Sequence, residues 1–438
     1  MNRTVEKNKT LLVDGPASVT VVSGKVEVFG STLAGTNKVV IREGKRLPFA
    51  VEENTTFDVS LGENAVVEEV DGTTIPSSWI KSYEELENLQ VKPIIAVVLG
   101  AVDSGKTSFC TYLVNRLLRA KRKVAVLDED LGQSDIGPPC TVAYAFPSKP
   151  ITDLFNLKEK NAIFVGGTSP DGVADKVVED MILMEKEVLS QDAEVIIINT
   201  DGWVEGEEAV KYKIQLIEKL DPTIILCIQQ EDKLAPIINA LEKQRRVMVE
   251  TPQTVKQRSK EERRTLRELG YVKHLRNAKI QSLPLNWLKI EGDELPFLDK
   301  LHENVREAGR IFTLLGMRPL HFVELRDNIS VVIGRKRWIN PENIKKTEEI
   351  TKKKVVLFRK GDEEGLLTAL YGSKRQFLGI GVLQEVDFAR KILKISTPVQ
   401  DKISVVAIGK VKLDKNLKEI PTLTEENHSD FTEFKKLF

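Results

Sequence analysis

From Leu11 to about Ile75 apolar and polar residues alternate with period two, as in Val19-Thr20-Val21-Val22-Ser23-Gly24-Lys25-Val26-Glu27-Val28-Phe29-Gly30. Turn-forming glycines recur at Gly15, Gly24, Gly30, Gly35, Gly44, Gly62 and Gly72. Short alternating strands with frequent Gly turns predict a small antiparallel β-sandwich-like domain over residues 1–78, closed by a linker at Pro76-Ser77-Ser78. The pattern then changes. Continuous apolar runs at Ile94–Leu99, Lys123–Leu127, Ala162–Val165, Val195–Asn199 and Thr223–Ile228 are separated by amphipathic stretches such as Thr107–Ala120, Ala174–Ser190 and Glu207–Leu220. Unbroken apolar strands between helices predict an α/β domain over residues 79–318, with a parallel sheet covered on both faces. Over residues 319–438 strand patterns return, clearest at Ile329–Ile333, Val355–Phe358 and Ile403–Ile408, followed by a polar tail from Lys415.

Length and charge narrow the class. At 438 residues the chain has room for two or three domains of about 150 residues each. A 41% hydrophobic and 30% charged composition suits sizeable cores. Lys+Arg and Asp+Glu both number 65, so no global field draws in a polyanion; nucleic-acid binding would need a local patch. The longest apolar stretch, Ile94 to Val102, is far short of the roughly 20 residues of a spanning helix, so no membrane role is expected. Cys110, Cys140 and Cys227 are far apart, which argues against a disulfide framework or zinc ribbon and for a cytoplasmic setting.

The chemistry starts at Gly100-Ala101-Val102-Asp103-Ser104-Gly105-Lys106-Thr107, which spells G-x-x-x-x-G-K-[ST] between a strand and a helix. Loop N–H groups from Gly100 to Ser108 and the helix N-terminus can wrap phosphates, with Lys106 on the β/γ-phosphates and Thr107 on Mg²⁺. The motif predicts nucleoside triphosphate binding. Asp128 and Asp130, two apart at the end of a strand, direct both carboxylates to one side of the ligand edge. One can support the metal shell while the other accepts a proton from an attacking hydroxyl; the plainer reading is two solvated acids. Thr200-Asp201-Gly202-Trp203 places an indole after the strand Val195–Asn199, suited to stacking on a base or to filling core. From Lys256 to Arg276 there are eight Lys or Arg against three Glu. Ser259 and Glu262 form a capping box that starts a helix, so Arg258 precedes it and Arg263 and Arg267 share one face. Such guanidiniums could stabilise a transferring phosphoryl, or form a solvated helix face.

Together these elements resemble the Clp1/Grc3 family of polynucleotide 5′-hydroxyl kinases: the P-loop, D-x-D-x-G-Q from Asp128 to Gln133, T-x-G-W from Thr200 to Trp203, and R-x₄-R-x₃-R at Arg258, Arg263 and Arg267. Gly24–Gly30 is similar to the family's N-terminal β-domain, and Phe377–Leu383 with Ile395–Val399 to its C-terminal one. The resemblance implies transfer of the ATP γ-phosphate to the 5′-OH of RNA, with DNA as a second acceptor and protein partners unspecified. It assigns Lys106 and Thr107 to phosphates and Mg²⁺, Asp130 to general base, Asp128 to the metal shell, and Gln133, Thr200, Gly202, Trp203 and Arg267 to substrate. Arg258 and Arg263, on a lid over residues 254–272, would stabilise the transition state. One departure is Gly137-Pro138-Pro139-Cys140-Thr141, where the family typically has Pro-Gly before a small hydroxyl residue; Thr141 is the hydroxyl available here. Two other readings stay open: an ATP-bound scaffold of an RNA-processing complex, and a regulatory ATPase or GTPase. Neither gives a chemical task to all of Lys106, Asp130, Trp203 and the arginines.

Overall fold

The computed structural model describes residues 1–420 apart from 230, 293, 296–297 and 299–307. The polar tail expected from Lys415 lies, from residue 421 onward, outside the described residues. Two compact units divide the chain, Met1–Gly270 and Tyr271–Phe438.

The first unit opens with β1 (Asn2–Val5), β2 (Lys9–Asp14), β3 (Ala17–Val28), β4 (Ser31–Ala34), β5 (Lys38–Ile41), β6 (Arg46–Leu61) and β7 (Val67–Asp71). They form one antiparallel sheet of order β4-β3-β6-β2-β7, with β1 on β6 and β5 on β3. The long strands β3 and β6 pair with each other, shift register around Val21–Val26, and each take two further partners, one per half. A sheet bent on its own long strands thus does the work of the expected sandwich. The residues expected to form a linker instead open helix α1 (Ser77–Glu87), because Trp79 is fully buried against Phe109 and Tyr112 and donates its indole N–H to the Glu250 carbonyl at 3.1 Å.

The α/β core follows: β8 (Ile94–Gly100), α2 (Lys106–Arg119), β9 (Val124–Asp128), β10 (Thr141–Ala145), β11 (Asn161–Phe164), α3 (Ala174–Leu189), β12 (Val195–Asn199), α4 (Glu207–Leu220), β13 (Ile224–Gln229), α5 (Ala235–Ala240), β14 (Arg246–Glu250) and α6 (Lys260–His274). Its sheet runs β11-β10-β9-β12-β8-β13-β14. The five strands from β9 to β14 are parallel. The edge pair is not: β10 runs antiparallel to β9, and β11 antiparallel to β10. The stretch expected to be a further parallel strand, Ala162–Val165, is therefore half of an edge hairpin whose other half, β10, is not among the strands expected from the sequence. α3 and α4 bury Val177, Met181, Met184, Leu216 and Leu220 against Val97, Leu127, Ile196 and Ile198 of the sheet. α1 and α2 cover the other face, which explains the unbroken apolar character of β8, β9 and β12.

The second unit contains β15 (Lys279–Pro284), β16 (Lys289–Glu291), α7 (Ala308–Leu315), β17 (His321–Glu324), β18 (Asn328–Ile333), α8 (Pro341–Thr351), β19 (Lys354–Arg359), β20 (Leu366–Tyr371), β21 (Phe377–Asp387), β22 (Ile392–Thr397), β23 (Val405–Leu413) and β24 (Glu419–Ile420). One sheet has the order β15-β22-β21-β20-β23-β16, with β24 on β23; the other is β17-β18-β19. The division therefore falls near residue 270 and not at 318, because β15 and β16 pair with β22 and β23. The unit is not purely β either: β18 and β19 are parallel, joined through α8.

Candidate active site

β8 ends in the phosphate loop, and Gly105 (φ +96°) turns the chain in the left-handed region to start α2. Lys106 is buried and donates to the carbonyls of Gly100 (2.8 Å) and Ala101 (2.7 Å). Burial pushes its ammonium below the usual lysine range, and Asp130 and Asp201 partly offset this. The loop residues from Val102 to Ser108 line a cavity of about 290 Å³, together with Asp130, Gln133, Gly202, Trp203, Arg258, Arg263 and Arg267. Gly100 and Ala101 lie buried beneath it.

The two acids of D-x-D separate. Asp130 lines the cavity, and its Oδ1 accepts the N–H groups of Gly132 (3.1 Å) and Gln133 (2.8 Å), which fixes the carboxylate on its own turn. Burial and then Asp201 raise its carboxyl above the usual range, against the Gln133 N–H and Lys106. Asp128, expected in a metal shell, is 0% exposed. Its oxygens accept from Asp135 N (2.7 Å), Ile136 N (3.2 Å) and Asn199 Nδ2 (2.9 Å). It organises the loop after Gln133 and is not among the residues that line the cavity. Burial, with Asp135 and Asp130 close by, pushes its carboxyl up to about 7. Thr107 and Asp130 remain as a hydroxyl and a carboxylate on one cavity, oxygen donors of the kind a hard divalent cation takes.

Trp203 is half-buried on the cavity and packs on Tyr212 at 5.9 Å between ring centroids. Gly202 is required by close approach, since a Cβ there would meet Val102 N at 2.6 Å. Thr200, expected to touch substrate, is fully buried and donates its hydroxyl to the Val98 carbonyl (2.7 Å); it ties the loop to β8. Thr141 likewise faces inward, donating to the Pro138 carbonyl (2.6 Å), so it supplies no hydroxyl to the cavity. Two hydroxyl residues that line it outside the phosphate loop, Thr168 and Ser169, follow β11 in a short polar turn with no motif to mark it.

The lid arginines reach the phosphate loop. Ser259 and Glu262 cap each other (2.8 and 3.1 Å), so α6 starts as the sequence predicts. Arg258 pairs with Asp103 at 2.7 Å and Arg263 with the same carboxylate at 3.2 Å. Arg258 also donates to the Gly44 carbonyl (2.7 Å), and Arg263 to the Arg258 carbonyl (2.7 Å). The N-terminal sheet takes part through this same turn. Arg42 and Lys45 bind the buried Asp135 carboxylate, Lys45 at 2.9 Å, and Arg42 continues to Asp153 at 2.8 Å. Burial alone would raise Asp135; the two cations outweigh it and hold its carboxyl far below the usual range.

Beneath Asp130 lies a buried ionic group that sequence patterns did not single out. Lys213 on α4 contacts Asp201 Oδ2 (2.9 Å) and Glu129 Oε2 (3.2 Å), while Tyr212 donates to Glu129 and Asp201 N donates to Glu129 Oε2 (2.6 Å). Burial and Asp201 raise Glu129 well above the carboxylate range; for Asp201, Lys213 outweighs burial and keeps it below. The signal was present as a lysine interrupting the buried stripe Ala209, Leu216, Leu220 of α4. Removing the cation strands two carboxylates, so Lys213→Met should lower stability by about 3–5 kcal/mol in denaturant unfolding. A loss under about 1 kcal/mol would mean the carboxylates neutralise each other by sharing a proton.

Residues 100–277 match the family model described as mRNA cleavage and polyadenylation factor CLP1 P-loop. The chain is 27% identical over 360 residues to the polyribonucleotide 5′-hydroxyl-kinase of Methanocaldococcus jannaschii, covering 81% of this chain and 96% of that protein. The corresponding Pyrococcus abyssi kinase is 28% identical, with 80% and 96% covered. Among solved structures, Clp1p in a complex with Pcf11p superposes with a TM-score of 0.66 at 13% identity, covering 94% of this chain and 97% of that one, a likeness of fold. Residues 100–277 thus match the Clp1 P-loop model, most of the chain is similar to archaeal polyribonucleotide 5′-hydroxyl-kinases, and the fold is that of Clp1p.

Proposed function

We propose that this protein transfers the γ-phosphoryl group of ATP to the 5′-hydroxyl of RNA, and that 5′-OH DNA is a second acceptor. One observation carries the reading: a phosphate loop, a carboxylate with a raised pKa and two guanidiniums line a single cavity, with an indole at its wall. The named activity of the archaeal relatives agrees with it.

Chemically, Lys106 and the loop N–H groups hold the β- and γ-phosphates. Asp130 accepts the proton of the attacking 5′-hydroxyl, and Arg258 and Arg263 leave Asp103 for the equatorial oxygens of the transferring group. Thr107 and Asp130 are the residues placed to hold Mg²⁺, which would supply charge neutralisation on the phosphates. Trp203 stacks on the terminal nucleotide.

The test uses purified full-length protein, ATP labelled at the γ-phosphate, Mg²⁺ and matched oligonucleotides ending in 5′-OH or 5′-phosphate. Label should appear only on 5′-OH ends. Label released as inorganic phosphate with both acceptors unlabelled would point to a hydrolase, and ATP binding with neither product to a scaffold.

A further inference from the structure

Within the second unit, the carboxyl ends of the parallel strands β18 and β19 lie side by side, Ile333 opposite Arg359. The turn leaving β18 is Gly334-Arg335-Lys336-Arg337-Trp338. It is held at both ends: Ile333 and Ile339 are buried in the same apolar cluster, Arg337 N donates to the Gly334 carbonyl (2.8 Å), and Asn340 caps α8 by accepting from Glu342 N (3.0 Å). Between these anchors Arg335, Lys336, Arg337 and Trp338 are exposed, Trp338 by 65%.

Two neighbouring cations are already neutralised, Arg335 by Glu364 (3.0 Å) and Lys360 by Glu385 (3.0 Å). Lys336 and Arg337 have no ion-pair partner among the described residues, and the indole follows them directly. The surrounding segment is basic in a chain that is neutral overall: residues 318–360 hold twelve Lys or Arg against five Asp or Glu. Two unpaired cations beside an exposed indole, on a turn fixed at both ends, combine what single-stranded nucleic acid requires, namely charge for phosphates and a flat face for a base. None of these residues lines the catalytic cavity.

We infer that Lys336, Arg337 and Trp338 form a second contact for the polynucleotide, which binds single-stranded RNA at nucleotides away from the reacting 5′ end. A purely electrostatic surface has no use for an indole flanked by a rigid turn, and an anionic lipid surface, which can also take an indole, is told apart by the vesicle measurement below. The inference deepens the proposed kinase reading by adding a site for the body of the substrate, but it is tested by binding and does not depend on transfer.

The experiment titrates the full-length protein with fluorescently labelled single-stranded RNA, and measures phosphorylation kinetics separately. For an RNA of roughly 20 nucleotides, K336E/R337E should weaken binding about tenfold or more and lower the slope of log affinity against log salt by about 1.4, two phosphate contacts at about 0.7 each. W338A should weaken it by about 5- to 100-fold, with W338F restoring most of the loss. KM for a roughly 4-nucleotide acceptor should stay within about twofold of wild type in all three, since none of these residues lines the cavity that takes the reacting end. K352E/K354E, which makes the same charge change at the amino-terminal end of this parallel pair, should leave affinity for the long RNA nearly unchanged. Unchanged affinity in the K336E/R337E and W338A variants would overturn the site. So would equal losses in K352E/K354E, equal effects on short and long acceptors, or variant-sensitive binding to phosphatidylserine vesicles without any effect on RNA. If RNA binding responds as described while no variant or wild-type protein transfers phosphate, the kinase reading fails and this site stands.

Discussion

Arg263→Ala should slow phosphoryl transfer by about 10³-fold or more while leaving ATP affinity within a few-fold of wild type. In the structure its guanidinium lies on Asp103, a residue of the phosphate loop, and donates as well to the Arg258 carbonyl. In the proposed mechanism, Asp103 stations the charge beside the γ-phosphate. In the ground state the ion pair competes with the nucleotide, so truncation removes little binding. As the phosphoryl group passes between oxygens, its equatorial charge is exposed to the fork, and the interaction strengthens. Arg263→Lys should recover only a small part, because an ammonium lacks the planar pair of donors. Single-turnover kinetics with pre-bound ATP measures this directly. A turnover loss below about threefold would assign Arg263 to holding α6 against the loop and nothing more.

Asp130→Asn should cost about 10²–10⁴ in turnover. The amide still offers an oxygen to the N–H groups of Gly132 and Gln133, so the turn survives while the base is lost. pH gives an independent reading. Burial and Asp201 raise the Asp130 carboxyl, and the base works only when ionised, so wild-type activity should fall on the acid side at a higher pH than an ordinary aspartate would give. The variant's residual activity should lack that limb. Asp128→Asn is the contrast: its oxygens serve loop N–H groups and Asn199, so most of the transfer should persist. If the Asp128 variant were as inactive as the Asp130 variant, the roles of the pair as read from burial would be wrong.

The chemistry-bearing loops were legible in the sequence because their signals are local. Gly-rich spacing before a helix and the Ser259–Glu262 box depend on residues within a few positions of one another. The boundaries of α3 and α4 followed from apolar periodicity for the same reason. What escaped needed knowledge of distant neighbours. Asp128 and Asp130 look equivalent in sequence, and only the course of the loop to Ile136 decides which one is enclosed. The Glu129–Lys213–Asp201 group joins three segments, so no single stretch advertises it. β10 was missed because Thr141–Ala145 is short and its partner β9 lies beyond a loop. The unit boundary was misplaced because β15 pairs with β22, more than a hundred residues later.

The turn at Gly44 changes what counts as the smallest working form of this protein. Its carbonyl steadies Arg258, and its neighbours Arg42 and Lys45 clamp the loop that Asp128 shapes from the other side. The first seventy-odd residues are thus a third jaw of the cleft and not an accessory that evolution or an engineer could exchange at will. A fragment trimmed to the nucleotide-binding core would keep every recognisable motif and lose the grip that makes them act together.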